Sequence, residues 1–240
     1  MKIQADLHTH TIASTHAYST ITENCEWASK YGLKAIAMTD HAMSMPDSPH
    51  RWHFENLDVI PRKISGVTVL KGIEANIMNI DGEIDADNRF LSNLEWVVAS
   101  MHSQVIEKDT HENITKAYIN VCKNPHVDVI GHCTSDEFYF DYEKGVKAFK
   151  EYEKLIEINE SSIKNKKGSR KNCYEILKLC KKYEVPVVVD SDSHFCQNIG
   201  QTPNAFQIID ELDFPEKLIV NTDWNKLREF ILNKRKNLDI

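Results

Sequence analysis

The amino-acid sequence predicts an α/β protein whose parallel strands alternate with helices and close into a TIM-like barrel. Short apolar runs of strand length recur seven or eight times along the 240 residues, and most of them are rich in Val and Ile. Such runs are typical of strands that are buried on both faces of a parallel sheet. Amphipathic stretches separate the runs, and this alternation favours a barrel. An open doubly wound sheet is the alternative, but no glycine-rich loop follows the first run, so the usual nucleotide-binding fingerprint is absent.

The predicted strands are the apolar runs themselves. In chain order they are KIQADLH (2–8), LKAIAMTD (33–40), VTVLKGIEA (67–75), EWVVASMH (95–102), VDVIGH (127–132), LIEINE (155–160), VPVVVDSD (185–192) and LIVN (218–221). The last run is the weakest member of the series, so the sequence leaves the choice between seven and eight strands open.

The predicted helices carry apolar residues at helical spacing. The first, TENCEWASKYG (22–32), is expected to begin with Thr22 as its N-cap and to end at Gly32. The others are HENITKAYINVCKN (111–124), KGVKAFKEYEK (144–154), SRKNCYEILKLCKKY (169–183), NAFQIIDEL (204–212) and DWNKLREFILNKRKN (223–237). The last of these has a cationic end, which favours the helix macrodipole.

The composition restricts the number of domains, the classes of partner and the expected location of the protein. The sequence has no Pro/Gly-rich linker and no low-complexity segment, so one domain over residues 1–240 is expected. A net charge of −7 without a basic stripe argues against a nucleic-acid surface. No stretch approaches a signal peptide or the roughly 18 apolar residues of a membrane span, so the expected location is cytoplasmic. The six cysteines form no C-x-x-C pair and are expected to be reduced and mostly buried.

Histidines and acidic residues collect at the carboxyl ends of the predicted strands. In a β/α barrel these ends meet at one face, where the active site is built. The side chains involved are His8, His10, His41, Glu74, His102, His132, Asp192 and His194. Side chains two positions apart on a strand point the same way, so His8 and His10 can bind one ion together. The same holds for Asp192 and His194.

Metal binding is the interpretation that this pattern favours. A single histidine at a strand end is more often a hydrogen-bonded structural residue, but so many converging on one face by accident is improbable. Imidazole and carboxylate groups without thiolates suit zinc, manganese or iron. With His16 included, the set is too large for one ion and sufficient for two or three, and Glu74 is able to bridge a pair.

An ordered series of motifs resembles the PHP (polymerase and histidinol phosphatase) family of metal-dependent phosphoesterases. The series is DLHTHT followed by S-x-H, then TDH, GIEAN, a histidine after a buried strand, GHC and SDSH. Further segments, among them PHRWHF, DGEID and SRKNC, are similar to the small stand-alone bacterial phosphatases of the YcdX type within that family. The similarity covers essentially the whole chain, and the ordered set is more specific than any single motif.

The resemblance implies a distorted seven-stranded parallel barrel, in which the run LIVN is marginal. It also implies three divalent metal ions at the mouth of the barrel, with zinc as the first choice and manganese or iron as the alternatives. Carried onto matching positions, the ligands are His8, His10, Glu74 and Asp192 for one ion, Glu74, His102 and His132 for a second, and His16, His41 and His194 for a third. Every ligand position holds the expected residue type.

The expected activity is the hydrolysis of phosphate monoesters. Three divalent ions bring an excess of positive charge into the mouth, which makes a dianionic ester a natural ligand. A water that bridges two ions and is ionised to hydroxide would attack phosphorus in line. Asp6 and Asp40 are candidates for orienting imidazoles, and the sequence assigns no acid for the leaving group.

Two loops near the mouth offer candidate substrate contacts. MPDSPHRWHF (45–54) contains His50, Arg51 and His53, and the cationic NKKGSR (165–170) contains Lys167 and Arg170. The expected partner is a small phosphorylated molecule. A homo-oligomer is compatible with the sequence, which does not determine the oligomeric state.

Other functions are compatible with the same motifs. The protein could be a histidinol-phosphate phosphatase of histidine biosynthesis, or a PHP-type nuclease acting on nucleic-acid ends, although it has no basic groove. An amide- or lactone-hydrolysing barrel enzyme shares the H-x-H start, but it would normally use a bridging lysine where this chain has Glu74. A metal-dependent regulatory module without turnover is the non-enzymatic alternative.

Overall fold

The computed structural model of the protein describes residues 1–236 and 238–240. Its strands are β1 (Ala5–Thr9), β2 (Ala35–Met38), β3 (Lys63–Ile64), β4 (Val67–Asn76), β5 (Trp96–Ser100), β6 (Val129–Ile130), β7 (Leu155–Asn159) and β8 (Val187–Asp190). β3 pairs antiparallel with β4, and the other seven pair in parallel in the order β1-β2-β4-β5-β6-β7-β8. The fold is therefore a nearly closed barrel of seven parallel strands, as the sequence and the resemblance predicted.

The weak eighth run does not form a barrel strand. Two 3-10 turns, Glu216–Leu218 and Val220–Thr222, occupy most of LIVN, and a single bridge joins Ile219 to Val187. The choice between seven and eight strands is thus decided for seven, and the expectation that this run is marginal is confirmed.

Asn221 joins β1 to β8, where an eighth strand would have continued the sheet. Its side-chain amide donates to the carbonyl oxygens of Ala5 (2.9 Å) and Val189 (2.7 Å), and its side-chain oxygen accepts the N–H of Val189 (3.0 Å). Nearer the mouth, the N–H of His10 donates to the carbonyl oxygen of Ser193 (2.9 Å). A side chain therefore satisfies buried backbone groups that a neighbouring strand would otherwise have bonded.

The helices surround the barrel. They are α1 (Ile21–Lys30), α2 (Arg51–Glu55), α3 (Asn88–Leu91), α4 (His111–Val121), α5 (Tyr142–Glu151), α6 (Glu160–Asn165), α7 (Ser169–Tyr183), α8 (Pro203–Glu211) and α9 (Trp224–Lys234). All six predicted helices are present, whereas the short α2, α3 and α6 were not predicted. The last predicted helix extended to Asn237, which lies outside the described residues.

Helix α1 begins at a different cap from the predicted one. Thr20, not Thr22, is the N-cap, and its hydroxyl accepts the N–H of Glu23 (3.3 Å). The carboxylate of Glu23 in turn accepts the N–H of Thr20 (2.7 Å). This capping box satisfies two otherwise unpaired donors, which explains why the helix starts earlier than expected.

The interior of the barrel is apolar at one end and polar at the other. Successive side chains of a strand alternate between its two faces, so positions two or four apart share the interior. On β4, Leu70 belongs to an apolar cluster while Glu74 lies among histidines. On β7, Leu155 belongs to the same cluster while Glu157 contacts a histidine ring. We call the apolar end the floor and the polar end, at the carboxyl ends of the strands, the mouth.

The floor is a cluster of inward-facing side chains sealed by α9. It consists of Ala5, Leu7, Ala35, Ala37, Leu70, Trp96, Val98, Val129, Leu155, Val188 and Val220, together with Leu227 and Ile231 of the helix. A larger apolar cluster lies between the outer face of the sheet and the surrounding helices. The barrel therefore has a packed base beneath its mouth.

Two further expectations concern the chain as a whole. Within residues 1–236 and 238–240, no helix has both the length and the apolar character needed to cross a membrane. The six cysteines are free and buried, as predicted.

Candidate metal centre

Glu74, near the end of β4, lies at the centre of the mouth. One oxygen of its carboxylate lies 3.2 Å from Nε2 of His8 and 3.2 Å from Nε2 of His41. The other oxygen lies 3.0 Å from Nε2 of His132 and 3.4 Å from Nε2 of His102. A carboxylate between two pairs of imidazoles has the arrangement that a bridging ligand needs.

Asp192, in the loop after β8, is the second predicted carboxylate ligand. One of its oxygens lies 3.2 Å from Nε2 of His10 and 3.7 Å from Nε2 of His8. The other accepts a hydrogen bond from the Asn159 amide (3.2 Å). Asp192 has a φ of +53° and His132 a φ of +25°. Such left-handed conformations cost non-glycine residues free energy and concentrate at functional sites.

The outer part of the mouth contains His16, His41, His194 and the unpredicted Asp47. One carboxylate oxygen of Asp47 lies 2.7 Å from Nδ1 of His16 and 2.9 Å from Nδ1 of His41. The ring of His194 stacks between those of His10 and His16, with centroid distances of 4.2 and 4.3 Å. The side chain of His16 is 54% exposed, so this part of the mouth faces solvent.

The structure brings all nine predicted metal ligands to the mouth. Four groups of side chains have donor atoms within 4.8 Å of one another: His8–His10–Glu74, His41–Glu74–His102, His10–His41–His194 and His16–His41–Asp47. The first group contains three of the four ligands implied for one ion and lacks Asp192. The set implied for the third ion is divided between the last two groups, one of which includes Asp47.

The donor atoms at the mouth fit divalent metal ions. Nε2 of His8, Nδ1 of His10 and Nε2 of His194 are buried and have no hydrogen-bond partner among the described residues. Because buried polar atoms are normally bonded, these nitrogens are candidates for metal coordination. A set of imidazoles and carboxylates suits zinc, manganese or iron.

The electrostatics of the mouth favour ionised carboxylates, whereas the pKa values of its imidazoles are shifted in opposite directions. Burial alone would raise the pKa of Glu74, but the neighbouring imidazoles, His8 foremost, hold that pKa well below its ordinary value. The pKa of Asp192 is also held well below its ordinary value, because the neighbouring imidazoles together outweigh the effect of burial. Burial lowers the pKa of His10 to about 3 and that of His132 to about 4. Ionised carboxylates and neutral imidazoles are the forms that bind metal.

Two other imidazoles of the mouth have raised pKa values. Burial would lower the pKa of His8, but the carboxylates of Glu157 and Glu74 hold it well above its ordinary value. Against the same effect of burial, Glu74 and Asp47 raise the pKa of His41 to about 9. These two rings would therefore release a proton on binding a metal ion.

Glu157 and Asn76 contact imidazoles of predicted metal ligands, and the sequence analysis missed both. One carboxylate oxygen of Glu157 lies 2.6 Å from Nδ1 of His8, and the other accepts the N–H of His132 (2.6 Å). The side-chain oxygen of Asn76 lies 2.8 Å from Nδ1 of His102. A signal for Glu157 was present in the run LIEINE, because the alternation of a strand places this residue on the inner face.

Asp6 and Asp40 bind loops of the mouth instead of the imidazoles predicted as metal ligands. Asp6 accepts the N–H of Ser191 (3.1 Å) and of Gly200 (2.7 Å). Asp40 accepts the N–H of Thr11 (2.8 Å). The expectation that these carboxylates orient metal-ligand imidazoles is therefore wrong, because backbone N–H groups and hydroxyls of these loops bond their oxygens, and the imidazole in contact with Asp40 is that of His53.

A cavity of about 310 Å³ lies above the ligands, and we call it the mouth cavity. Besides predicted ligands, its wall includes Met45, Gln104, Ser135, Phe138 and Lys166. Its wall therefore combines ligands, a cation and some apolar surface.

Three predicted substrate contacts lie in or next to α2 and are not part of this wall. His50 caps α2, Arg51 forms an ion pair with Asp87 (3.1 Å), and Nε2 of His53 lies 3.2 Å from the carboxylate of Asp40. The structure thus does not bring these residues to the mouth cavity, because a short helix forms in this loop and local partners hold their side chains.

In the segment NKKGSR, Lys166 lines the mouth cavity, whereas the predicted Lys167 and Arg170 do not. Lys167 is exposed, and its carbonyl oxygen accepts the N–H of Asp136 (3.1 Å). Arg170 lies on α7 beside a separate surface cavity. Helix α6 ends at Asn165, the first residue of this segment, so the side chains that follow leave the turn in different directions.

Sequence comparison identifies close relatives over the full length. The family model described as PHP domain matches residues 6–183. A probable phosphatase of Clostridium novyi (strain NT) is 44% identical over 241 residues, which cover 100% of this chain and 99% of the relative. A probable phosphatase of Thermoanaerobacter sp. (strain X514) is 45% identical over 240 residues, which cover 99% of this chain and 98% of the relative.

Solved structures share the fold at low sequence identity. The histidinol phosphate phosphatase of Lactococcus lactis subsp. lactis Il1403, in complex with zinc, L-histidinol and phosphate, gives a TM-score of 0.62 at 16% identity and covers 88% of this chain and 94% of its own. A chain of an archaeal ribonuclease P with mature tRNA gives a TM-score of 0.60 at 14% identity, covering 98% and 94%. At these identities the likeness concerns the fold alone.

Proposed function

The chain belongs to the PHP domain family and is a phosphoric ester hydrolase, and we propose that it hydrolyses small phosphate monoesters at the mouth of its barrel. The observation that carries this proposal is the position of Glu74 between two pairs of imidazoles. Three buried ring nitrogens nearby that have no partner among the described residues support the same conclusion.

We propose three divalent cations as cofactors, with zinc first and manganese or iron as alternatives. Their ligands would be His8, His10, Glu74 and Asp192 for one ion, Glu74, His102 and His132 for a second, and His16, His41 and His194 for a third, with Asp47 as a further candidate beside the last set. When bound, the ions would supply positive charge for a phosphate dianion and the Lewis acidity that makes water a nucleophile near neutral pH.

Glu157 and Asn76, which contact the ligand imidazoles on the side away from Glu74, determine which ring nitrogen faces the mouth. The Nδ1–H of His8 would donate to Glu157, and that of His102 to Asn76 (2.6 and 2.8 Å). In both rings Nε2 would then carry the lone pair, and it lies 3.2 Å (His8) and 3.4 Å (His102) from an oxygen of Glu74. Such partners fix the tautomer and the orientation of a metal-binding imidazole.

Lys166 is the side chain that we assign to a phosphate oxygen of the substrate. It lines the mouth cavity, and its charge adds to the effect of burial in lowering the pKa of His132. Glu137, an acidic residue of the same wall, is paired with Lys108 (3.2 Å). The ammonium of Lys166 and the proposed metal ions would repel one another unless an anion lay between them. A phosphate dianion supplies that anion.

The loop that carries Lys166 is held against the loop after β6. Gly168 has a φ of +75°, and a Cβ at this position would overlap the carboxylate of Asp136. The same carboxylate accepts a hydrogen bond from the Asn172 amide (2.8 Å). This contact sets Lys166 and Ser135 on the same wall, so a phosphate oxygen could meet an ammonium and a hydroxyl together.

The proposal is tested by Glu74→Gln together with metal analysis. We expect the purified variant to lose bound metal and to lower kcat/KM for 4-nitrophenyl phosphate by about a thousandfold, or roughly 4 kcal/mol of transition-state stabilisation. The loss follows because an amide cannot supply the negative charge that four imidazoles and the ions share. Circular dichroism would show that the barrel is retained.

Glu26→Gln is the matched control, since Glu26 is exposed on α1, and it should behave as wild type. The substrate panel includes histidinol phosphate and a single-stranded oligonucleotide, which separates the alternative activities. Full activity of Glu74→Gln would contradict the assignment, as would a metal-loaded wild type that hydrolyses none of the esters.

A further inference from the structure

A second cavity, which we call the side cleft, adjoins the mouth cavity. It has a volume of about 420 Å³ and lies between α6 and the loop that follows β8. Four side chains, those of His16, Ser161, Asp192 and His194, line both cavities. A molecule held in one cavity can therefore extend into the other past the ligands of the proposed metal centre.

The wall of the side cleft is polar. Beyond the four shared side chains, it includes Lys164 and Asn165 from α6 and Asn198 and Gln201 from the loop. Pro203 is the single apolar side chain among the described residues of this wall. The mouth cavity differs, because its wall contains the apolar side chains of Met45, Met101 and Phe138.

Some polar groups of the side cleft are already bonded and others are available. The carboxylate of Glu160 accepts hydrogen bonds from the side chain of Asn204 (2.6 Å) and the N–H of Ala205 (2.9 Å). Asn198 and Gln201 contact each other through the backbone, where the N–H of Gln201 donates to the carbonyl oxygen of Asn198 (3.0 Å). Both residues are exposed, so their side-chain amides are accessible to a ligand.

We propose that the side cleft binds the alcohol part of the substrate and that this alcohol is polyhydroxylated, as in a sugar or polyol phosphate. The inference rests on the proposed function, which places the phosphoryl group among the ligands of the mouth cavity. Because four side chains line both cavities, a phosphoryl group held at these ligands has the side cleft directly beside it. The remainder of the substrate can then extend into this adjoining space.

The chemistry of the wall selects hydroxyl groups over an aromatic ring. Amides and hydroxyls both donate and accept hydrogen bonds, so they can pair with the hydroxyls of a sugar in either direction. An aryl leaving group would displace water from these groups without replacing the hydrogen bonds, which costs free energy. A site built to bond a substrate hydroxyl therefore discriminates against an analogue that lacks it.

The kinetic test compares glucose 6-phosphate with 4-nitrophenyl phosphate on the metal-loaded enzyme. The variants are Asn198→Leu, Gln201→Leu and the double variant, which keep approximate side-chain size and remove the amide. We expect the ratio of kcat/KM for the sugar ester to that for the aryl ester to fall about tenfold in each single variant, which corresponds to the loss of about 1.4 kcal/mol. Gln197→Leu is the matched control, because Gln197 is exposed on the same turn but is not part of the cleft wall.

A binding measurement tests the same inference without turnover. Calorimetry would give dissociation constants for methylphosphonate, which carries the phosphoryl group alone, and for the phosphonate analogue of glucose 6-phosphate. Wild type should bind the sugar phosphonate at least about tenfold more tightly than methylphosphonate. This advantage should shrink in the Asn198→Leu and Gln201→Leu variants and persist in Gln197→Leu.

The outcomes separate this inference from the proposed function. If metal-loaded wild type hydrolyses neither ester, the proposed function fails, while the phosphonate measurement still decides what the cleft binds. If both esters are hydrolysed but the variants leave their ratio unchanged, or lower both rates equally, the side cleft is not the alcohol site. Equal affinity of wild type for the two phosphonates would overturn the inference as well.

Discussion

The floor and the mouth of the barrel are built by the same strands but make opposite contributions to the free energy of folding. Leu70 in the floor and Glu74 in the mouth lie four residues apart on β4, and both are almost completely buried (0% and 1% exposed). Burying a leucine stabilises the fold by about 1.5–3 kcal/mol. Burying a carboxylate costs free energy unless partners compensate it. The comparison teaches that the floor stabilises the barrel and that the mouth uses part of this stability to hold its ligands.

The free-energy cost of burying a carboxylate is evident at Asp190, which lies beneath the proposed metal ligands of the mouth. Burial, and then the nearby carboxylate of Glu157, raise the pKa of Asp190 well above its ordinary value. Asp190 accepts the N–H of Leu7 (2.8 Å) and the amide of Asn221 (3.3 Å), which compensates part of the cost. The aliphatic side chains that surround Leu70 in the floor have no polar atoms and need no such hydrogen bonds.

The largest expected effect on this comparison comes from the floor. Leu70→Ala should lower the free energy of unfolding by about 2–5 kcal/mol, because it leaves a cavity in a packed cluster. The folded fraction should keep wild-type metal content and kcat/KM. Urea denaturation followed by circular dichroism measures the first quantity, and metal analysis measures the second.

Val59→Ala is the control for this substitution. Val59 is 71% exposed, so its truncation should change the stability by less than about 0.5 kcal/mol. A Leu70→Ala protein of unchanged stability but reduced metal content would contradict the conclusion that the floor contributes stability and the mouth binds the metal.

An intermediate effect, on metal affinity, is expected from Glu157, whose carboxylate contacts Nδ1 of His8. Glu157→Gln should lower metal affinity by about 10–100-fold, because an amide is a weaker partner for Nδ1 of His8 than a carboxylate is. Competition with a chelating dye measures the dissociation constant. The exposed Glu151→Gln on α5 is the matched control. Wild-type metal affinity in Glu157→Gln would show that the ligands alone determine binding.

A smaller effect is expected at the wall of the mouth cavity. Lys166→Gln should raise KM for 4-nitrophenyl phosphate and the inhibition constant of inorganic phosphate by about tenfold, because one charge-assisted hydrogen bond is lost. Lys166→Arg should recover much of this loss, and Lys167→Gln should have no effect. If Lys166→Gln and Lys167→Gln prove equivalent, the placement of Lys166 at the phosphate is wrong.

The elements predicted correctly are those whose signal is local. A buried parallel strand has the same apolar pattern wherever it lies, which is why all seven barrel strands were found. The predicted ligands follow strands directly, and the geometry of a barrel brings strand ends together. His16 lies beyond the end of β1 and carries no strand signal; it was included in the set with His8 and His10, and the resemblance then assigned it to one of the ions.

The errors occurred where the outcome depends on contacts between distant segments. Asp47 reaches His16 and His41 only because the loop after β2 folds over the mouth. Lys166 and Lys167 are adjacent and identical in chemistry, so no local rule distinguishes which one lines the cavity. The choice follows from the contact between their loop and Asp136.

By itself, the sequence determined the fold class, the seven strands and the residue types gathered at the mouth, because periodicity and strand-end position are properties of the chain. The tertiary structure alone decided that Asn221 joins β1 to β8, that Glu157 stands behind His8, and that the side cleft adjoins the ligands. The physical reason is that a hydrogen bond between residues 149 positions apart, or a cavity between two loops, exists only once the backbone has brought its partners together.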